Sequence, residues 1–68
     1  VELRDHFWTG PEYQGSVAVQ TSAHGDPAAA HLNADGTVQW TQARRKVAPG
    51  QAVVFYLDDA VIGGAIAC

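Results

Sequence analysis

The last third of the chain, residues 46–67, decides its fold and reads KVAPGQAVVFYLDDAVIGGAIA. Pro49-Gly50 predicts a type II turn, because proline presets φ near about −65° and glycine accepts the positive φ that the next position requires. The run Ala52 to Leu57 then alternates, with Val53, Phe55 and Leu57 on one face. Because this run is also rich in β-branched and aromatic residues, we predict a strand.

A second apolar run, Ala60 to Ala67, follows a break at Asp58-Asp59, so we predict a hairpin with the two aspartates at its tip. Gly63-Gly64 within this second strand would weaken it unless a bulge or a close approach of another backbone requires glycine. Both faces of both strands are mostly apolar. The hairpin should therefore lie inside a closed or two-layered β structure.

The rest of the chain predicts further short strands. We expect them at Val1 to Asp5, Tyr13 to Ala23, Ala29 to Leu32 and Thr37 to Thr41. Asn33-Ala34-Asp35-Gly36 predicts the turn of a hairpin, and His24-Gly25-Asp26-Pro27 predicts a turn or loop. Asp26 and Pro27 before three alanines would also suit the start of a helix, but that segment is short. The fold class predicted is all-β, a small closed or partly open antiparallel β-barrel of about six short strands.

Length and composition indicate one small domain, residues 1–68, whose first residue is not methionine, as expected for a fragment of a longer protein. A single cysteine excludes an internal disulfide and suits a reducing compartment. No run approaches the roughly 18 apolar residues of a membrane span. A net charge of −3 argues against a strongly basic nucleic-acid binder.

The positive charge is nevertheless concentrated, since three of the four Lys and Arg residues are consecutive: Arg44, Arg45 and Lys46. At least one of them must be exposed if the segment is a strand, because neighbouring side chains point to opposite faces. They are our candidate RNA-binding residues, through contacts to phosphates. The alternative is that they protect an edge strand against aggregation.

The aromatic cluster His6-Phe7-Trp8 has two interpretations. It is a plug or lid of the hydrophobic core, or it is a platform on which unpaired bases stack. We favour the first, because Arg4 is the only basic residue near it.

We predict no catalytic and no metal-binding residue in this chain. His6, His24 and His31 are scattered, whereas zinc requires three or four ligands in defined geometry. Asp58-Asp59 is predicted to be a solvated turn, because adjacent carboxylates project in different directions. Cys68 is the last residue, where fraying is expected and an activated thiolate is not.

Residues 47–56, VAPGQAVVFY, followed by Val61-Ile-Gly-Gly64 and Ile66, resemble the end of bacterial tRNA-specific 2-thiouridylases. The resemblance implies the closing β-barrel domain of such an enzyme. It further implies an upstream catalytic domain that uses ATP and Mg²⁺ to adenylate the wobble uridine, and cysteines there that deliver sulfur. The expected partners are tRNA, that catalytic domain and a sulfur-carrier protein. The expected location is the cytoplasm, with no membrane contact.

The resemblance has one departure, because the family carries Lys and Arg on the polar side of the strand that contains Ala18, Gln20 and Ser22. Two alternatives to a tRNA-positioning domain therefore stay open. One is an accessory barrel of another modular enzyme, such as an aminomethyltransferase, or of a translation factor. The other is a purely structural module that makes no contact with RNA.

Overall fold

The computed structural model describes residues 2–21, 24–41 and 47–68, without the side chains of residues 24 and 25. Six antiparallel strands form one sheet in the order β1-β6-β5-β2-β3-β4. Their bounds are Leu3–Trp8 (β1), Gly15–Thr21 (β2), His24–Leu32 (β3), Val38–Trp40 (β4), Ala52–Leu57 (β5) and Ala60–Ala67 (β6). No helix able to cross a membrane occurs within these ranges. The predicted all-β fold is confirmed.

The sheet curls into a half-barrel around a single core. The largest side chains that are fully buried in it are Phe55, Leu32 and Val19. Side chains alternate in β2, where Val17, Val19 and Thr21 are buried on the concave face. We call this the inner face of the sheet and the opposite one its outer face.

Both turns predicted around the closing hairpin are confirmed. Gln51 N donates to Ala48 O at 3.2 Å and Gly50 has φ of 88°, as a type II turn requires. At the other end Leu57 pairs with Ala60, so that Asp58-Asp59 forms a two-residue turn. Asp58 adopts φ of 54°, a left-handed conformation that is costly for a residue with a Cβ atom.

Gly63-Gly64 lies both at an irregularity of the strand pairing and at a close approach of another backbone, the two reasons for glycine that the sequence suggested. The register between β5 and β6 shifts next to Gly63, and β1 pairs with β6 at both glycines, with Trp8 opposite Gly63 and Phe7 opposite Gly64. A Cβ atom at Gly63 would collide with Phe7 O and lie 2.8 Å from Trp8 Cε3. Glycine is therefore needed here because two backbones approach closely.

Two predicted boundaries are wrong. The first strand runs from Leu3 to Trp8, so the aromatic residues form part of it, and a bulge at Asp5, with φ of 56°, allows the strand to continue. The segment from His24 to Pro27, predicted as a turn or loop, belongs to β3. Its pairing with β2 shifts between Val19 and Thr21, and a strand accepts proline at such an irregularity because the missing N–H breaks no ladder bond.

The hairpin of β3 and β4 is confirmed. Gly36 N donates to Asn33 O at 3.0 Å, and Asn33 N donates to Thr37 O at 2.9 Å. Gly36 has φ of 87°, which explains why glycine closes this turn.

Candidate functional site

A cleft of about 440 Å³ opens at the inner face, between β1, the segment after it and the β3–β4 turn. We call it the His6 cleft. Its lining residues are His6, Trp8, Glu12, Tyr13, Gln14, Leu32, Asn33, Ala34, Asp35 and Gly36. The described part of the lining therefore combines three aromatic rings with two carboxylates and two amides.

The aromatic wall of the cleft is held by the core. The ring of Trp8 stacks on that of His6 at a centroid distance of 6.5 Å and an interplanar angle of 17°. On the core side Trp8 packs at 5.8 Å against Phe55, which is fully buried. Trp8 thus closes the core, as the first interpretation of the aromatic cluster predicts. Phe7 lies on the outer face and is 53% exposed, so the cluster is divided between two faces of the strand.

A side-chain hydrogen bond joins the two ends of the curled sheet at this cleft. His6 Nε2 lies 2.8 Å from Gly36 O, and because a carbonyl only accepts, the imidazole must donate from Nε2. A Cβ atom at Gly36 would lie 3.0 Å from both Cε1 and Nε2 of His6. The bond thus connects edge strand β1 to the turn that leads into the opposite edge strand, β4.

The acidic side of the cleft is ordered by the same turn. Asp35 Oδ1 accepts hydrogen bonds from Thr37 Oγ1 at 2.7 Å and from Thr37 N at 2.9 Å. These two bonds lower the pKa of Asp35 below its ordinary value of 3.8, because they stabilise the carboxylate. Glu12, the second acid of the cleft, is exposed.

The outer face carries no cation within the described ranges except Arg4, which forms an exposed ion pair with Asp5. Gln20, where the resemblance led us to expect a cation, accepts a hydrogen bond from the hydroxyl of Tyr56 at 3.0 Å. Ala18 lies beside it on the same face of β2. The predicted RNA-binding residues Arg44, Arg45 and Lys46 lie outside the described residues, as does Ser22.

The remaining candidates stay apart. His6 faces the cleft, whereas His31 of β3 is exposed and lies opposite Ser16 of β2. The side chain of His24 lies outside the described part of the chain. In the described ranges no three His, Cys, Asp or Glu side chains are grouped to hold a metal ion. Cys68 is a free, exposed thiol. Its backbone N donates to Glu2 O at 3.0 Å, so the chain end is tied to the segment before β1 rather than frayed.

Sequence reasoning did not find the His6 cleft. The Asn33–Gly36 turn was recognisable, but the contact between His6 and Gly36 spans 30 residues and arises only when the sheet curls. Glu12 carried no local signal, and Tyr13, predicted as the start of a strand, lies in the segment before β2.

Residues 2–67 match the family described as the aminomethyltransferase β-barrel domain. The chain belongs to this family. Several relatives are tRNA-specific 2-thiouridylases. The chain is 39% identical over 62 residues to the tRNA-specific 2-thiouridylase of Rhizorhabdus wittichii, which covers 91% of the chain and 16% of that enzyme. It is 48% identical over 54 residues to the 2-thiouridylase of Herpetosiphon aurantiacus, which covers 74% and 15% respectively.

A third 2-thiouridylase, from Cutibacterium acnes, is 46% identical over 52 residues, which covers 72% of the chain and 14% of the enzyme. No solved structure gives a significant match. The resemblance to the β-barrel domain of tRNA-specific 2-thiouridylases is thereby confirmed. The chain spans about one sixth of the length of these relatives.

Proposed function

We propose that this chain is a non-catalytic β-barrel domain of a tRNA 2-thiouridylase, the enzyme that transfers sulfur to the wobble uridine of tRNA. The observation that carries the proposal is the similarity to three 2-thiouridylases over 72–91% of the chain, together with the match to a β-barrel family over residues 2–67. An aminomethyltransferase barrel is not favoured, because these named relatives are 2-thiouridylases.

In this proposal the chemistry belongs to a longer parent protein that acts in the cytoplasm. ATP with Mg²⁺ would activate the uridine there, and a sulfur-carrier protein would supply the sulfur. The 68 residues carry no glycine-rich phosphate loop of their own, because Gly63-Gly64 lies inside β6 and no helix begins after it. Within the parent, this domain packs against the catalytic part and helps to position tRNA.

The outer face supports the packing role. Phe7 covers Gly64 with its ring edge directed over the glycine, and Val61 is 42% exposed three residues away. Val54 and Tyr56 lie on the same face in the register of β5 with β6. Exposed apolar side chains grouped in this way suit a contact with another domain.

In this proposal Arg44, Arg45 and Lys46 contact RNA phosphates, a prediction that rests on their charge. A purely structural role is the second candidate, favoured by the net charge of −3 and by the uncharged residues Ala18, Gln20 and Ser22 on β2 and just after it. Titration of tRNA against the parent protein at several salt concentrations separates the two roles. An Arg45→Ala variant should bind tRNA more weakly and reduce the slope of log K against log salt by about 1, with unchanged preference among tRNAs. Unchanged affinity and slope would remove Arg45 from the interface.

The size of the native gene product tests the proposal itself. An immunoblot of the source cell with an antibody against this domain should show a band several-fold larger than 7.2 kDa. A band near 7.2 kDa would contradict the assignment and indicate a free-standing barrel.

A further inference from the structure

The His6 cleft plays no part in the proposed phosphate contacts, and its chemistry differs from that of a phosphate site. Glu12 and Asp35 line it, and none of the described residues that line it is a Lys or Arg. Carboxylates repel phosphate, so the cleft disfavours the RNA backbone. We propose that the His6 cleft is a docking site for an arginine side chain of a partner protein segment. This inference is independent of the proposed function.

The aromatic wall offers one half of such a site. Trp8 is half-buried and lines the cleft, and its contacts with the rings of His6 and Phe55 hold its orientation before a ligand binds. A guanidinium group is planar and stacks on indole, which is the most favourable aromatic partner for a cation. Lysine presents a point charge without this plane and fits less well.

The acidic side offers the other half. Both hydrogen bonds from Thr37 go to Oδ1 of Asp35, which leaves Oδ2 to accept a further donor. The same bonds fix the carboxylate in place beside the His6–Gly36 contact. Glu12, in the segment between β1 and β2, also lines the cleft and adds a second acceptor. An arginine has five N–H donors and can therefore serve both acids.

The shape of the cleft agrees with this occupant. A volume of about 440 Å³ accommodates a long side chain together with some of the segment that carries it. An unpaired RNA base would also stack on Trp8, but its attached phosphates would lie near the two acids. The charges therefore favour arginine.

Chemical-shift titration of the ¹⁵N-labelled protein tests the proposal. The probes are the blocked tripeptide Gly-Arg-Gly and the same peptide with citrulline, which keeps the shape of arginine but lacks its charge. The arginine peptide should shift the Trp8 indole and the Gly36 amide in a saturable way and bind at least about fivefold more tightly than the citrulline peptide, because a bond to a charged group is the stronger one. Added salt should weaken binding.

A matched pair of variants locates the site. Glu12→Gln should weaken binding of the arginine peptide about threefold or more, because it removes one of the two acids. Glu2→Gln removes the same charge outside the cleft and should leave binding unchanged. Equal binding of the two peptides, or no saturable shift at Trp8 and Gly36, would overturn the proposal. Tighter binding of uridine monophosphate at the same residues would also overturn it and assign the cleft to RNA.

Discussion

Replacing Gly63 by alanine should destabilise this domain more than its single methyl group suggests. The new Cβ atom would lie 2.8 Å from Trp8 Cε3, whereas carbon atoms in contact sit about 3.5–4.0 Å apart. It would also collide with Phe7 O, a backbone atom that cannot rotate away. Trp8 cannot move freely either, because His6 and Phe55 hold its ring. Strand β1 must therefore shift away from β6.

The shift of β1 sets how much free energy of unfolding is lost. Overpacking of this kind costs about 1–3 kcal/mol, and we expect the upper end because the obstacles are backbone and a fixed ring. A chain of 68 residues has a total stability of roughly 3–10 kcal/mol, so the loss is a large share of it. Since each kcal/mol lowers the melting temperature of a small domain by about 4–8 °C, the expected decrease is roughly 12–24 °C.

Urea and thermal unfolding, followed by circular dichroism and tryptophan fluorescence, measure the effect. Gly10→Ala is the matched control, because no atom lies within 4 Å of its added Cβ and its φ is not positive. That variant should change stability by no more than about 0.5 kcal/mol. If Gly63→Ala is as stable as Gly10→Ala, the close approach of β1 to β6 is not what requires glycine.

Three further changes test the turns. Gly36→Ala should lower the free energy of unfolding by about 1–2 kcal/mol because alanine is strained at this left-handed φ, and by more if His6 cannot move. An unchanged urea midpoint would refute this. Asp58→Gly should stabilise the domain by up to about 1 kcal/mol by relieving a left-handed conformation, and a lower melting temperature would contradict it. Asp35 has a lowered folded pKa, so its ionisation contributes stability above the unfolded value of 3.8, and this contribution disappears as pH falls through the folded pKa. The stability difference between wild type and Asp35→Asn should therefore shrink in acid, and a difference constant from pH 7 to 2 would argue against the Thr37 bonds.

Local signals in the sequence predicted the closing hairpin well. Proline and glycine define the turn at residues 49–50, and alternation defines β5, because both depend on neighbours in sequence. The start of β3 was predicted wrongly because its structure depends on a distant strand and not on its neighbours in sequence. His24 to Pro27 has the composition of a loop, but pairing with β2 holds it in the sheet. Tertiary pairing overrides local preference there.

The candidate site was less predictable than the fold. The aromatic residues of β1 were found as a cluster, but only their positions in the strand show that Trp8 faces the core and Phe7 the outside. The His6 cleft depends on the curl of the whole sheet, which no short stretch of sequence specifies. The role of Arg44, Arg45 and Lys46 remains a prediction from charge alone.

The most direct test of the central claim is the 2-thiouridine content of tRNA. The full-length gene that encodes this domain is expressed in a bacterial strain that lacks its own 2-thiouridylase, and the nucleosides of total tRNA are quantified by mass spectrometry. The account predicts that 2-thiouridine at the wobble position returns. Expression of the full-length protein without any return of 2-thiouridine would contradict the assignment.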